Sequence, residues 1–354
     1  MRIGILTFHR AHNYGAVLQC YALQEVLKGM GHEVEVIDYR QPQIERAYDH
    51  WSFKTLIKCC IKFWRLRGYI AQLMREHHKR QIFDAFKDNF LNVRYRCDSS
   101  NIPIGYDVYV VGSDQLFTTE ITGGLDPVFS GLFKRNESSK LIGYAISSNI
   151  KAIRDIGAMR WKQIKAYFDA ISLREKTLAD KIHEWYNVPF EVCLDPTILT
   201  VAETWDKMSE ASNMEDDYIV MYEVRRLPND RNMLNRKAKE LALKHKLRVI
   251  DLSSMRSPVN EWVNYIRNAK CVVTTSFHAT VFALIFERPI YSFRLDDGRD
   301  YRYTDILEYV GLSHCIKSVT DILTEIPDID YDKIRRALQE YQKQSMDFLY
   351  SNIQ

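Results

Sequence analysis

Three side chains able to bind an anion or move a proton stand where apolar runs end. His278 follows "CVVTTSF", Arg174 follows "AISL", and Asp114 closes "YVVGSD". A histidine suits proton transfer near neutral pH. A guanidinium emerging from a buried run has to meet an anion, whether ligand or protein. Glu175, next in the chain, is the nearest structural partner for Arg174. Neighbours on an extended chain point to opposite sides, however, so a ligand phosphate or carboxylate is the expected partner. Asp114 reads as a catalytic carboxylate, with ordering of its own turn as the alternative.

Smaller polar groups gather round these three. Thr274, Thr275 and Ser276 crowd the same strand end as His278, and the apolar run beyond predicts a helix whose free N–H groups face an anion. Ser113 precedes Asp114, Ser147 lies at the end of "KLIGYAISS", and Asn13 and Gly15 in "HRAHNYGAVLQ" open another helix. Asn13 with Gly15 reads equally well as a plain helix cap. That segment lacks the GxGxxG fingerprint, which disfavours a dinucleotide, although Asp38 ends the second strand where a ribose-binding acid would stand. No metal is expected: "DDG" at 296–298 and "DID" at 328–330 lack a supporting ligand set, and the seven cysteines form no CxxC.

The elements that position these groups alternate. "RIGILTF", "YGAVLQCYALQEVLKGMG" and "EVEVIDY" read as strand, helix and strand, which signals a βαβ unit and a parallel sheet. The sheet resumes in "YDVYVVGSD", "KLIGYAISS", "FDAISLREK" and "FEVCLDPT". A second α/β set follows with "DYIVMYEV", "LRVIDLSS", "CVVTTSF" and "PIYSFRL". Six of these strands end in polar clusters on the side where such sheets bind ligands. The expected fold is therefore α/β, with two doubly wound domains facing each other and a ligand between them. We place the first domain at 1–205, the second at 206–330 and a closing helix at 331–354, with a basic, aromatic, helical insertion at about 44–91. Within that insertion Ile57, Ile61 and Trp64 share a face, and 54–80 carries eight cations against the single acid Glu76. A solvated basic face packed on the first domain is the plainer reading of 54–80; contact with an anionic membrane or a lipid-linked acceptor is the alternative.

Bulk composition excludes more than it selects. The chain has 354 residues, 46% hydrophobic and 27% charged, and a net charge of +3. That near balance gives no argument for nucleic-acid binding. The absence of a signal-like run, a span-length apolar stretch or paired cysteines leads us to expect a cytoplasmic protein.

Taken in order, "GILTFHRAHNYGAVLQCYALQ", "YVVGSDQ", "SLREK", "CLDPT" and "VVTTSFHATVFALIFERPIY" resemble the polysaccharide pyruvyl transferase family, from about residue 3 to 293. The resemblance implies two Rossmann-like domains in a GT-B-like pairing, with the active site in the cleft. It implies transfer of the enolpyruvyl carbons of phosphoenolpyruvate to a sugar hydroxyl pair as a ketal, with no cofactor, in synthesis of a capsule or other surface polysaccharide. The acceptor would be a sugar or a lipid-linked oligosaccharide, placing the enzyme at the inner face of the membrane if it is peripheral. Arg174 matches the family's donor-binding arginine and His278 its histidine, a donor ligand and general acid; Asp114 is our own candidate for the base. Some members carry an arginine where Ser276 stands, so a second phosphate-binding cation is sought in Arg10, Arg294 or Arg299. Many members also have Asn at the place of Thr118, and Gly is usual at that of Asn149. Two other readings stay open: a GT-B glycosyltransferase using a nucleotide sugar, and a non-catalytic glycan-binding protein on the same scaffold.

Overall fold

The computed structural model describes residues 1–48, 63–200, 202–208 and 217–354. It contains two sheets whose strands all pair in parallel. The first holds β1 (Arg2–Leu6), β2 (Glu33–Tyr39), β3 (Val93–Cys97), β4 (Val108–Asp114), β5 (Lys140–Ile146), β6 (Ala170–Leu173) and β7 (Glu191–Val192), in the order β3-β2-β1-β4-β5-β6-β7. The second holds β8 (Tyr218–Tyr222), β9 (Arg248–Asp251), β10 (Cys271–Thr274), β11 (Ile290–Phe293) and β12 (Ile316–Lys317), in the order β12-β11-β10-β8-β9. Both are doubly wound, Rossmann-like orders, so the expected fold class is the one observed.

The strands read as unbroken apolar runs because helices cover both faces. Along β4, Val108 and Val110 enter one core cluster while Tyr109 and Val111 enter another. Along β8, Tyr218, Val220 and Tyr222 face the first of these clusters, and Ile219 and Met221 a third. One apolar core therefore runs continuously from the first sheet to the second.

Strand order reverses between β1 and β4 in the first sheet and between β8 and β10 in the second. The crevice at such a switch point is where doubly wound sheets bind ligands. Here the two switch points meet. Tyr14, opening the helix Tyr14–Gly29 after β1, stacks on Trp262 at 5.1 Å and meets the ring of Tyr222 edge-on at 6.2 Å. Its hydroxyl donates to the Ser257 carbonyl at 2.8 Å.

Two edge strands, β3 and β12, were not legible as strands. β3 is mostly exposed and charged, and β12 has two residues. The helix Tyr331–Ile353 leaves the second sheet and packs back on the first, where Ser345 Oγ accepts from Leu194 N at 2.9 Å and Leu349 and Ile353 are buried. The insertion contributes the helix Phe63–Phe90, whose Phe83 and Phe86 pack beside Tyr14 and Tyr21. Ile57 and Ile61 lie outside the described residues. Among the described residues no helix is long and apolar enough to cross a membrane.

Candidate active site

The end of β6 delivers Arg174 into a ring of carboxylates. Its Nε donates to Glu175 Oε1 at 2.8 Å and its Nη1 to Asp195 Oδ2 at 2.9 Å, with Asp114 Oδ1 4.0 Å from Nη1. The guanidinium also lies 4.1 Å over the ring of Phe277, which belongs to the second domain's helix Phe277–Ile285. Glu175 is thus a partner after all, against the expectation from strand alternation. The strand ends at Leu173 and the chain bends at Arg174, so Glu175, the N-cap of the helix Lys176–Tyr186, no longer stands across a sheet from it, and the arginine side chain reaches it. Burial alone would disfavour the guanidinium's charge, but Glu175, Asp195 and Asp114 hold Arg174 firmly protonated. Nη2 makes neither of these bonds and has no hydrogen bond among the described residues.

Asp195 is the hinge of the arrangement. It caps the helix Pro196–Leu199, Oδ1 accepting from Thr197 N at 3.1 Å and Thr197 Oγ1 at 2.7 Å. Its other oxygen faces Arg174 on one side and His278 Nε2, at 3.6 Å, on the other. Burial opposes ionisation, yet His278, Arg174 and Thr197 together hold its carboxyl well below the usual carboxylate range. Glu175 behaves oppositely: burial pushes it up, only partly offset by Arg174 and Ser147.

His278 sits where the two domains touch. At 3.6 Å its Nε2 makes no hydrogen bond to Asp195, and it is buried with no other hydrogen-bond partner among the described residues; the same holds for Glu175 Oε2. The imidazole packs against Gly15 so closely that a Cβ there would lie 2.0 Å from Nδ1. Gly15 therefore leaves room for His278. Asn13 caps its helix through Ala16 N at 3.2 Å.

The hydroxyls round His278 are occupied in holding the corner. Thr274 Oγ1 donates to the Tyr222 carbonyl at 2.6 Å, Thr275 Oγ1 accepts from Val224 N and Arg225 N at 3.2 and 3.3 Å, and Ser276 caps through Ala279 N at 3.4 Å. Ser113 Oγ donates to the Ala145 carbonyl at 2.6 Å, and Ser147 Oγ to Glu175 Oε1 at 2.8 Å. Asp114 lies beyond Ser113 at a φ of 81°, in the left-handed region. Its backbone carbonyl accepts from Leu116 N and Ser147 N, each at 2.8 Å. These bonds tie the end of β4 to that of β5, with the carboxylate on the side of Arg174.

Of the cations sought in place of an arginine at position 276, none joins Arg174. Arg294 and Arg299 are half-exposed and pair with Asp296 and Asp297, and Arg10 pairs with Glu45 and Asp38. The cation that does share Arg174's surroundings is Arg302. A cavity of about 730 Å³ is lined by Arg174, Glu175, Asp195, Phe277 and Arg302, among others. Arg302 Nε donates to the Arg299 carbonyl at 3.1 Å, and its guanidinium pairs with no carboxylate among the described residues. Burial, then the nearby guanidinia of Arg225 and Arg174, push it below the usual arginine range. Its helix, Tyr301–Tyr309, is fixed to the first domain by Tyr301 OH on the Ser148 carbonyl at 2.8 Å and by Asp305, which accepts from Thr177 N and Oγ1 at 2.7 Å each. Arg225 secures the turn before it through Asp297, Asp300 at 2.7 Å and Tyr303 OH at 3.0 Å. The "DDG" acids are thus half of a clasp. Asp195 was visible in "CLDPT" as a polar strand end; Arg302, inside a helix in the middle of "RDYRYTD", carried no signal.

The family model described as Polysaccharide pyruvyl transferase matches residues 13–297. No curated protein is similar enough in sequence to match. Among solved structures, an S. aureus MnaA–UDP complex is 12% identical, covers 97% of this chain and 90% of its own, and has a TM-score of 0.46. The UDP-GlcNAc 2-epimerase of Neisseria meningitidis is 9% identical, covering 98% and 94%, at 0.46. E. coli heptosyltransferase WaaC is 9% identical, covering 96% and 100%, at 0.39. At these scores the likenesses carry no argument about function.

Proposed function

Because this chain belongs to the polysaccharide pyruvyl transferase family, a family of transferases that implies a sugar or polysaccharide acceptor, we propose that it transfers pyruvate from phosphoenolpyruvate to a pair of sugar hydroxyls as a ketal. The observation that carries this reading is the second guanidinium. Arg302 lines the cavity with Arg174 and pairs with no carboxylate among the described residues. Glu175, Asp195 and Asp114 already answer the charge of Arg174, whereas Arg302, half-buried beside it, is repelled by that guanidinium and left to be met by an anion in the cavity. Phosphoenolpyruvate offers both a phosphate and a carboxylate. Nη2 of Arg174 takes one anionic group and Arg302 the other, in the planar two-donor geometry for which guanidinium is suited.

The chemistry requires a proton on C3 of the enol, which makes C2 electrophilic. His278 supplies it: it does not line the cavity, but its Nε2 lies 3.6 Å from the Asp195 oxygen that Arg174 also faces and has no hydrogen bond among the described residues. The first sugar hydroxyl adds at C2 and gives its proton to Asp114. Phosphate then leaves C2, and the second hydroxyl closes the ketal, its proton departing with hydrogen phosphate. The products are a methyl-bearing ketal and inorganic phosphate, and all atoms balance. Glu175, raised by burial beside the cavity, donates a hydrogen bond to the donor's carboxylate end when it is protonated.

The test is acceptor-dependent release of phosphate from phosphoenolpyruvate across a panel of sugars and sugar phosphates, with the methyl singlet of the ketal read by NMR. Phosphate release together with that singlet supports the reading. A product carrying a transferred sugar, formed only from a nucleotide sugar, would replace it with glycosyl transfer.

A further inference from the structure

A second cavity, of about 410 Å³, lies at the carboxyl ends of β1 and β2. His9, Arg10 and His12 of the loop after β1 line it, and that loop leads into the helix Tyr14–Gly29, whose Gly15 lies against His278. Arg40 and Arg46 reach it from beyond β2, Arg80 and Lys87 from the helix Phe63–Phe90, and Arg96 from β3. Thus six cations from four parts of the chain point at one volume. Three carboxylates partner four of them. Asp38 meets Arg40 at 2.8 Å and Arg10 at 3.5 Å, Glu45 meets Arg10 and Arg40, and Asp84 meets Lys87 at 2.7 Å and Arg80 at 3.3 Å. Arg46 and Arg96 have no carboxylate partner among the described residues. The excess is felt locally: burial first, then Lys79, Arg80 and Arg10, lower His12 to about 4.

We infer that this pocket binds the diphosphate group of a sugar diphosphate, which is the form in which the acceptor arrives. Arg46 and Arg96, on separate chain segments and without a carboxylate partner among the described residues, match two linked phosphates, which carry more charge than one phosphate and form charge-assisted bonds with both. The shared loop then places the attached sugar toward the cleft holding His278. The anion-binding claim stands alone; the word "acceptor" rests on the proposed pyruvyl transfer.

Titration calorimetry at constant ionic strength, with inorganic diphosphate and then inorganic phosphate, tests it on the wild type and on Arg46→Ala/Arg96→Ala. Both substituted residues are exposed, so the variant keeps its fold. The expected result is diphosphate binding that is tighter than phosphate binding and about tenfold or more weaker in the variant, since two charged donors are lost. Phosphoenolpyruvate binding is expected to be unchanged. Diphosphate should also shift the titration of His12, followed by NMR, upward. No heat from diphosphate, or equal affinity in both proteins, overturns the proposal; phosphate binding as tightly as diphosphate overturns it in favour of a site for the released phosphate. Diphosphate binding in a protein that ignores phosphoenolpyruvate leaves the pocket standing and removes the pyruvyl reading. Competition by a soluble sugar diphosphate, but not by the dephosphorylated sugar, identifies the source.

Discussion

At the scale of single residues, Asp195 joins what the two domains contribute, with Arg174 at 2.9 Å on one side and His278 at 3.6 Å on the other. Asp195→Asn leaves a buried guanidinium short of a counter-charge, a change that costs about 3–5 kcal/mol. The sign of the pH effect follows from its depressed carboxyl. The folded state holds the carboxylate ionised, so its contribution is complete above the ordinary aspartate value of about 3.9 and is lost as pH falls further. Urea denaturation of wild type and Asp195→Asn should therefore show a gap at about pH 7 that narrows at about pH 3; a constant gap would contradict the linkage. Gly15→Ala is the complementary test, because its Cβ would meet Nδ1 of His278 at 2.0 Å. It should cost about 1–3 kcal/mol of stability and lower kcat by displacing the imidazole; unchanged thermal melting and turnover would mean that the loop and ring are not so closely seated. Much of this site was legible from the sequence as residue types at strand ends. What strand alternation could not convey is that the strand ends at Leu173 and the chain bends at Arg174, which brings the guanidinium within reach of Glu175.

At the scale of elements, the helix Tyr301–Tyr309 decides where Arg302 points. Its anchors are Arg225 on Asp300 at 2.7 Å and Asp305 on the Thr177 backbone at 2.7 Å. Arg225→Ala leaves a buried carboxylate unpaired, which lowers stability by about 3 kcal/mol or more. The account predicts a larger rise in KM for phosphoenolpyruvate than fall in kcat, because Arg225 acts through Arg302 and touches no reacting atom. A fall in kcat alone would contradict that. The strands themselves were easily read: a parallel strand covered on both faces is a continuous apolar run, as in β4 and β8. β3, with its exposed tyrosine and arginines, lacks such a run, and the reach of Arg225 across to "DDG" depends on a tertiary turn that spacing does not encode.

At the scale of the whole molecule, one apolar core passes through both sheets and brings their switch points face to face. The C-terminal helix closes that core from the first domain's side. Leu349→Ala, at a fully buried position, should lower stability by about 2–5 kcal/mol, measured as a shift in urea midpoint. A helix at 331–354 was expected from the sequence, but its return to the first sheet was not. The measurement that bears most directly on the central claim is calorimetric binding of phosphoenolpyruvate to the wild type, Arg174→Ala and Arg302→Ala, beside a panel of nucleotide sugars. The account predicts that the wild type binds phosphoenolpyruvate and that each substitution weakens it about tenfold or more, as expected for loss of one charge-assisted pair. No binding, or binding indifferent to both arginines, would contradict it, and a nucleotide sugar bound in its place would assign the cavity to another donor.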